Sequence, residues 1–281
     1  MKNAIVIGAA GGVGLEVAKA LLSQGWNVTA TVLNEAEERM VKDGAPGVKQ
    51  VAHVDLGNPD DALAKLKDLA KSLDTIERVA VCAAISPLGP VELTPLSVVK
   101  KTLEINLISH VAIYQAVIGK LRESKGRLVF ISSMSGKISM PFIGAYTASK
   151  FGLEGIADIM RQESAPFGVE ISLVEPGGIK TGMVKDQIEL VARKIAELTP
   201  EQDKLYGHLY RGFQKAASES YNGNTGSSGA DVAKVLMKAF DDPKPATRYI
   251  AGADAEQLLG ARASMDDRQM DGLFADFFKV N

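Results

Sequence analysis

The stretch "NAIVIGAAGGVGLEVAKALLSQG", residues 3–25, decides the fold. Residues 3–8 form a short apolar run rich in β-branched side chains, which is typical of a buried strand. A helical pattern follows, with apolar residues recurring on one face until Gly25 ends it. A strand that passes through a glycine-rich turn into a helix indicates the start of a βαβ unit.

The rest of the chain continues this alternation. Further apolar strand-like runs lie at 27–33, 48–56, 78–85, 126–133, 169–178 and 247–254. Helical patterns lie near 35–43, 59–73, 95–124, 146–163 and 186–198, and in "DVAKVLMKAF" after a loop at 220–231. Near-continuous apolar strands separated by helices predict an α/β fold with one doubly wound parallel sheet and helices on both faces. Its ligands are expected at the carboxyl ends of the strands.

Composition limits the classes of protein to consider. The chain of 281 residues is 46% hydrophobic and 23% charged, as expected for a globular protein with a sizeable core. We predict a single domain over 1–281, with a substrate-loop insertion at about 182–229. The 32 Lys and Arg residues nearly balance the 34 Asp and Glu residues, so no nucleic-acid partner is expected.

Cysteine use and hydropathy exclude further classes. The lone Cys82 excludes an internal disulfide and a Cys-based zinc cluster, and no metal site is predicted. No stretch approaches the ~18–20 apolar residues that span a bilayer, and the N-terminus lacks a signal-peptide cleavage pattern. A cytoplasmic protein with no membrane partner is therefore expected.

The glycine turn "GAAGGVG", residues 8–14, has the spacing GxxxGxG. Glycine is needed where the chain turns sharply and where backbone must approach a phosphate closely. The helix that follows offers free N–H groups and the positive end of its dipole to a pyrophosphate. Because the turn opens a βαβ unit, it predicts binding of NAD(H) or NADP(H).

Residues at the ends of the second and third strands are expected to contact the adenosine end of that cofactor. After the second strand, "ATVLN" offers neither a carboxylate to repel a 2′-phosphate nor an arginine to attract one. Asn34 is the only polar side chain there, so the choice stays open with NADP(H) slightly favoured. Asp55 after the third strand either accepts a bond from the adenine amine or is an exposed turn residue.

The segment "ISSMSGKISMPFIGAYTASK", residues 131–150, holds candidate catalytic groups. Tyr146 and Lys150 are four residues apart and so share a helix face, where an ammonium would lower a phenol pKa from ~10. Such a tyrosine exchanges a proton with a carbonyl or alcohol oxygen near neutral pH. Ser133 ends a strand and could hold the same oxygen. Asn106 either anchors a lysine or a water relay, or is a helix residue bonded locally.

Together these residues resemble the short-chain dehydrogenases/reductases over nearly the whole chain. The motifs occur in the family's order: GxxxGxG at Gly8, Gly12 and Gly14, then Asp55-Leu56, Asn106, Ser133, YxxxK at Tyr146 and Lys150, and PGxxxT at Pro176, Gly177 and Thr181. The resemblance implies a Rossmann-like fold and hydride transfer between a nicotinamide and a carbonyl or alcohol.

The resemblance also implies a role for each residue. Tyr146 would be the acid/base, Lys150 would bind the nicotinamide ribose and lower the tyrosine pKa, Ser133 would orient the substrate, and Asn106 would support a proton relay. The expected cofactor contacts are Gly8, Gly11, Gly12, Val13, Gly14, Asn34, Asp55, Leu56, Ala83, Ala84, Tyr146, Lys150, Pro176, Gly177, Ile179 and Thr181.

Two positions depart from the family pattern. Ile7 stands where threonine is usual, and the family's Asn-Asn-Ala-Gly appears as "VCAA" at 81–84, without its asparagine hydrogen bonds. Cys82 is interpreted there as a small core residue.

Residues from Tyr146 to Met183 resemble the 17β-hydroxysteroid and retinol dehydrogenase branch, although Leu33 replaces its arginine. The expected substrate contacts are Ser133, Met134, Met140, Phe142, Gly178 and Met183. Because most of these are apolar, a small apolar alcohol or ketone (steroid-like, retinoid-like or aromatic) is predicted, although several could instead be core or subunit contacts.

Further alternatives stay open. Helix 186–198 is either a lid or an ordinary packed helix. The chain could also be a non-catalytic NAD(P)-binding regulatory protein. By family resemblance we expect a homodimer or homotetramer, paired through 95–124 and 146–163.

Overall fold

A parallel sheet of seven strands organises the protein, whose computed structural model describes residues 2–223 and 226–278. Its strand order is β3-β2-β1-β4-β5-β6-β9, and every pairing is parallel, which confirms the predicted α/β class. The strands of the described residues are β1 (Asn3–Ile7), β2 (Asn27–Val32), β3 (Gln50–His53), β4 (Arg78–Val81), β5 (Arg127–Ile131), β6 (Glu170–Pro176), β7 (Ile179–Lys180), β8 (Ser227–Ser228) and β9 (Arg248–Ala251).

Helices cover both faces of the sheet, as predicted. On one face α1 and α9 pack together with apolar residues of α2, and on the other α3, α5 and α6 form a second core. In chain order the helices of the described residues are α1 (Gly12–Ser23), α2 (Glu35–Gly44), α3 (Pro59–Ser72), α4 (Leu96–Leu103), α5 (Ser109–Ser124), α6 (Gly144–Ser164), α7 (Gly182–Glu197), α8 (Pro200–Asn222), α9 (Gly229–Asp241), α10 (Ala253–Ser264) and α11 (Asp267–Phe277).

The strand order places one cleft at a defined position. The chain winds outward from β1 to β3 and then crosses back to β4, so the order reverses between β1 and β4. In open α/β sheets, ligands bind outside the carboxyl ends of the strands at such a reversal. The glycine turn after β1 and the "VCAA" segment at the end of β4 both lie there.

The long helical pattern at 95–124 is not one continuous helix. A π-helical turn at Glu104–Ile108 separates α4 from α5 and carries Asn106. Such wide turns occur frequently at functional sites, because they redirect a side chain without ending the helix.

The insertion contains two helices where the sequence indicates one. α7 covers the predicted helix near 186–198, and α8 follows it directly. Of the loop predicted at 220–231, residues 224 and 225 lie outside the described residues, while 227–228 form β8, which pairs in parallel with β7.

The C-terminal region adds α10 and α11, which the strand-and-helix pattern did not predict. They pack against Ile138 in the loop that follows β5. Within residues 2–223 and 226–278, no helix combines the length and the apolar character needed to cross a membrane.

Candidate active site

The turn between β1 and α1 requires glycine at two positions. Gly8 has φ +77°, and a Cβ there would lie 2.6 Å from the Ala83 Cβ. A Cβ at Gly14 would lie 2.2 Å from the Gly8 carbonyl oxygen. Gly11 is the N-cap of α1 and has no side chain to accept a hydrogen bond from the first N–H groups of the helix. Those N–H groups are therefore available to a bound ligand. This cradle fits a pyrophosphate at a helix N-terminus.

The adenosine end contains a carboxylate that the strand sequence did not reveal. Glu37, in the first turn of α2, accepts a hydrogen bond from the Leu33 backbone N–H at 2.8 Å. This carboxylate belongs to α2 and not to the strand end "ATVLN", which itself contains none. Asn34 caps α2 by accepting from the Glu37 N–H at 3.1 Å.

Asp55 and Leu56 have different environments. Asp55 is exposed and accepts from the Gly57 N–H at 2.8 Å, as an exposed turn residue does. Its contact with adenine stays a prediction. Leu56 is buried in the core beside α3, and its carbonyl accepts from the Ser109 hydroxyl at 2.6 Å.

A second glycine pair lies after β6, at the nicotinamide end predicted from PGxxxT. The Gly178 N–H donates to Asp254 Oδ2 at 2.7 Å, and a Cβ at Gly177 would lie 2.2 Å from Asp254 Oδ1. The Thr181 methyl group lies 3.0 Å from where a Cβ on Gly12 would be. The segment after β6 therefore reaches back to the glycine turn.

Ser133, Tyr146 and Lys150 come together at the carboxyl end of β5. Ser133 begins a 3-10 turn by accepting from the Ser135 N–H at 3.1 Å, and its hydroxyl lies close enough to the Tyr146 phenol to lower the pKa of that phenol. Lys150 is buried, its Nζ donates to the Ile131 carbonyl at 2.8 Å, and it lies 5.6 Å from the centroid of the Tyr146 ring.

The pKa of Tyr146 does not follow the expectation. Burial raises the pKa of its phenol, and the hydrogen bond with Ser133 opposes this without overcoming it. Burial lowers the pKa of Lys150 to about 8, while the carboxylate of Glu154 favours the ammonium. The expected lowering of the tyrosine pKa is therefore absent from this structure, because desolvation dominates.

Asn106 does not bond locally within its helix. Its Oδ1 accepts from the Ile85 N–H at 2.9 Å, and its Nδ2 donates to the Ile85 carbonyl at 2.8 Å and to the Ser149 hydroxyl at 3.0 Å. Asn106 therefore holds the loop after β4, where the family's own asparagines are missing. Its part in a proton relay stays a prediction.

Two other groups, the half-buried Cys82 and the buried His110, lie near Lys150. Burial raises the pKa of Cys82 to about 12, so the residue is a thiol, in agreement with a small core residue. His110, which belongs to none of the sequence motifs, stacks on Phe130 with 5.6 Å between the ring centroids. Burial lowers the pKa of His110 to about 3.

The predicted substrate residues belong to two packed clusters and an exposed turn. Met134 and Met140 pack against the cluster of Ile138 with α11. Phe142 is buried, has φ +81° and contacts the Tyr210 ring at 4.7 Å. It therefore matches the core alternative. Met183 is 47% exposed at the start of α7, and its substrate contact stays a prediction, like that of Gly178.

α7 and α8 contact the loops that follow β4 and β5. Gln187 of α7 donates to the Ser86 carbonyl at 2.7 Å, and Tyr206 of α8 donates to the Glu92 carboxylate. Phe213 of α8 contacts the ring of Phe142 at 5.0 Å. These contacts join the insertion to the loops after β4 and β5.

Sequence comparison identifies relatives of known activity. A family model described as short chain dehydrogenase matches residues 2–190. The chain is 30% identical over 269 residues to the mitochondrial D-beta-hydroxybutyrate dehydrogenase of Bos taurus, covering 88% of this chain and 76% of that protein. It is 25% identical over 281 residues to the NADPH-dependent 3-dehydrocapnine reductase of Ornithobacterium rhinotracheale, covering 98% and 96%.

Solved structures share the fold. A short-chain dehydrogenase from Streptomyces avermitilis superposes with a TM-score of 0.77 at 20% identity, covering 94% of this chain and 92% of that one. A short chain dehydrogenase from Burkholderia cenocepacia, in complex with NADP, gives 0.74 at 20% identity and covers 100% of both chains. With the family model matched over residues 2–190, the chain belongs to the short-chain dehydrogenase/reductase family of NAD(P)-dependent oxidoreductases, which act on alcohol and carbonyl groups.

Proposed function

We propose that this enzyme interconverts an apolar alcohol and its ketone, with Tyr146 as acid/base and Ser133 orienting the reacting oxygen. The observation that supports this assignment is that Ser133, Tyr146 and Lys150 meet at the carboxyl end of β5, where Lys150 Nζ lies 5.6 Å from the centroid of the Tyr146 ring. A catalytic acid must lie within hydrogen-bond reach of the substrate oxygen that it protonates, and this arrangement lets Ser133 and Tyr146 face the same oxygen.

The chain's own residues would perform the proton transfer. The glycine turn and Lys150 would hold NAD(P)(H), which would supply or accept the hydride. In reduction Tyr146 donates its proton to the carbonyl oxygen, and in oxidation it accepts the alcohol proton. The Lys150 ammonium favours the phenolate, which offsets part of the cost of burying that charge.

The substrate class is supported by the side chains between Ser133 and Tyr146. This loop carries Met134 and Met140, which are only partly buried where they pack against the cluster of Ile138 with α11. Flexible methionines adapt to bulky apolar ligands. A 17-beta-hydroxysteroid dehydrogenase type 1 of Mus musculus is 26% identical over 260 residues, which favours a steroid-like substrate. The name of the bovine relative points instead to a small hydroxy acid.

The first experiment would titrate the purified protein with NADH and NADPH, followed by fluorescence. Apolar ketones (steroid-like, retinoid-like and aromatic) and a small 3-oxo acid would then be added to the tighter complex. Oxidation dependent on an apolar ketone supports the proposed substrate, whereas oxidation with the 3-oxo acid alone contradicts it. Cofactor binding without turnover of any compound supports the non-catalytic regulatory alternative.

Tyr146→Phe tests the acid/base assignment. We expect turnover to fall by roughly 10²–10⁴-fold with cofactor affinity preserved, because only the ionisable hydroxyl is lost. Tyr114→Phe is the matched control, since Tyr114 lies on α5 and is hydrogen-bonded to Ser164. Unchanged turnover in Tyr146→Phe would show that the mechanism is wrong.

A further inference from the structure

Two buried carboxyl groups, Glu154 and Glu175, lie behind the catalytic residues and have no part in the reaction described above. Glu154 is on α6, four residues after Lys150, and Glu175 precedes Pro176 at the end of β6. Their exposed fractions are 4% and 3%. Burying two carboxylates side by side is costly unless they are paired with cations or one of them is protonated.

Three donor groups surround the Glu154 carboxyl group. Its Oε1 accepts from the Ser132 hydroxyl at 2.5 Å, and its Oε2 accepts from Arg248 Nε at 2.8 Å and lies 3.4 Å from Lys137 Nζ. A Cβ on Gly136 would lie 2.7 Å from the Glu154 Cγ. Glu154 therefore packs directly under the turn that begins at Ser133.

Glu175 has no comparable set of donors. Glu175 Oε1 lies 3.3 Å from Arg248 Nε, which already donates to Glu154. Within the described ranges, Glu175 Oε1 has no hydrogen-bond partner. Because Arg248 Nε lies 2.8 Å from Glu154 Oε2 and 3.3 Å from Glu175 Oε1, the two carboxyl groups lie side by side, where a hydrogen bond between them can form. Two carboxyl groups form such a bond only when one of them carries a proton.

In the part of the chain that the structure describes, no cation near the pair is left to neutralise an ionised Glu175 in addition to Glu154. Arg248 also donates to Asp158 of α6 at 2.9 Å, so one guanidinium serves three carboxyl groups. The Lys150 ammonium donates to the Ile131 carbonyl, and Lys137 lies 3.4 Å from Glu154. On the opposite side, α9 packs on β6 with the apolar residues of the first core.

We propose that Glu175 is a neutral carboxylic acid that donates a hydrogen bond to ionised Glu154. The pair is a positioning device that ties the Ser133 turn to the segment 176–178 at the nicotinamide end. Burial, together with the charge of Glu154, raises the pKa of Glu175 to about 7. Above that pH two adjacent anions repel each other, and the link between the two segments weakens. Only the catalytic consequence rests on the proposed function of Ser133.

The shared proton is tested first by infrared spectroscopy of the whole protein, without substrate. Wild type at about pH 6 is expected to show the carbonyl band of a buried carboxylic acid, which disappears at about pH 9. Glu175→Gln should lack the pH-dependent band. Glu170 is the exposed first residue of the same strand, so the control variant Glu170→Gln should keep the pH-dependent band. A wild type without the band, or a band unchanged in Glu175→Gln, would overturn the proposal.

The positioning role is tested by the pH profile of kcat/KM once a substrate is known. Glu175→Gln keeps an N–H donor but has no proton that titrates. Its kcat/KM at neutral pH should therefore stay within about threefold of wild type, and the fall of kcat/KM above about pH 7 should become shallower. Glu175→Leu removes the donor and should lower kcat roughly tenfold. An unaltered profile in Glu175→Gln would refute the role.

The two tests separate this inference from the proposed function. If no variant turns over any ketone, the proposed function fails while the infrared result still decides the protonation of Glu175. If Glu175→Leu does not fold, Glu175→Gln carries both tests, because the amide has nearly the same shape. If turnover is normal and the band is absent, only the inference is wrong.

Discussion

At the scale of single residues, Lys150 shows how burial and charge compete in the site. Its ammonium is nearly excluded from water, yet the Ile131 carbonyl and the nearby Glu154 carboxylate stabilise it. The same low-dielectric surroundings raise the pKa of the Tyr146 phenol. Burial therefore moves the two pKa values apart, since the lysine pKa falls to about 8 while the tyrosine pKa rises from its ordinary value of ~10.

Glu37 is the residue on which a change of cofactor preference can be tested. Its carboxylate accepts from Leu33 N–H at the end of β2, where a 2′-phosphate of NADP(H) would add negative charge. Glu37→Gln should strengthen NADPH binding relative to NADH by roughly 3–10-fold, since unit charges about 4 Å apart in water interact by about 1 kcal/mol.

Fluorescence titration of both cofactors measures that ratio. Glu35→Gln is the matched control, because Glu35 lies in the same first turn of α2 and has no contact with the Leu33 N–H. Equal changes for NADH and NADPH in Glu37→Gln would contradict the prediction.

Residue types at fixed spacing predicted Ser133, Tyr146, Lys150 and the glycine turn, because chemistry and steric need restrict those positions to few side chains. Glu175 and Asp254 could not be found in this way. Their proximity to the site depends on how β6, α6 and α10 pack, and long-range packing leaves no local pattern in the sequence.

At the scale of elements, the sheet and its flanking helices were predictable because buried strands are nearly continuous apolar runs. α8 was missed because its apolar residues are few, although its capping box is visible in Thr199 and Gln202. The break between α4 and α5 was also missed. A π-helical turn keeps helix-forming residues, so its sequence looks like that of an uninterrupted helix.

Two glycines in helices should respond oppositely to alanine. Gly14→Ala places a Cβ 2.2 Å from a backbone carbonyl, so we expect a loss of at least about 2 kcal/mol in the free energy of unfolding. Gly119→Ala, inside α5, meets no atom within 4 Å and should stabilise the protein by about 0.5–1 kcal/mol. Urea denaturation measures both values. Stabilisation by Gly14→Ala would show that the tight cradle is not needed for folding.

At the scale of the whole molecule, the buried acid links stability to pH. Folding raises the Glu175 pKa from 4.5 to about 7, so in this window the folded protein binds more protons than the unfolded chain. Its contribution to stability is therefore lost as pH rises through this window. Urea denaturation at several pH values should show a shallower fall for Glu175→Gln than for wild type and for Glu170→Gln. Identical slopes in all three proteins would contradict the link.

Association into a dimer concerns the outer face of α5 and α6, for which the family resemblance implies pairing across a two-fold axis. Ile108, just before α5, is 49% exposed, and Phe151 and Ile159 of α6 are 44% and 47% exposed. Large apolar side chains left in water favour a partner surface of the same kind, and a two-fold axis places the same surface of two copies together.

Phe151→Glu should therefore convert the dimer or tetramer into a smaller species, since a buried interface would then contain two unpaired carboxylates. Size-exclusion chromatography with light scattering measures the mass of each species. Leu205→Glu, at a residue of α8 that is 52% exposed and outside this face, is the control and should leave the mass unchanged. If wild type is a monomer at working concentration, the exposed face has no second copy and the association is refuted. If Phe151→Glu keeps the wild-type mass, the subunits associate through another surface.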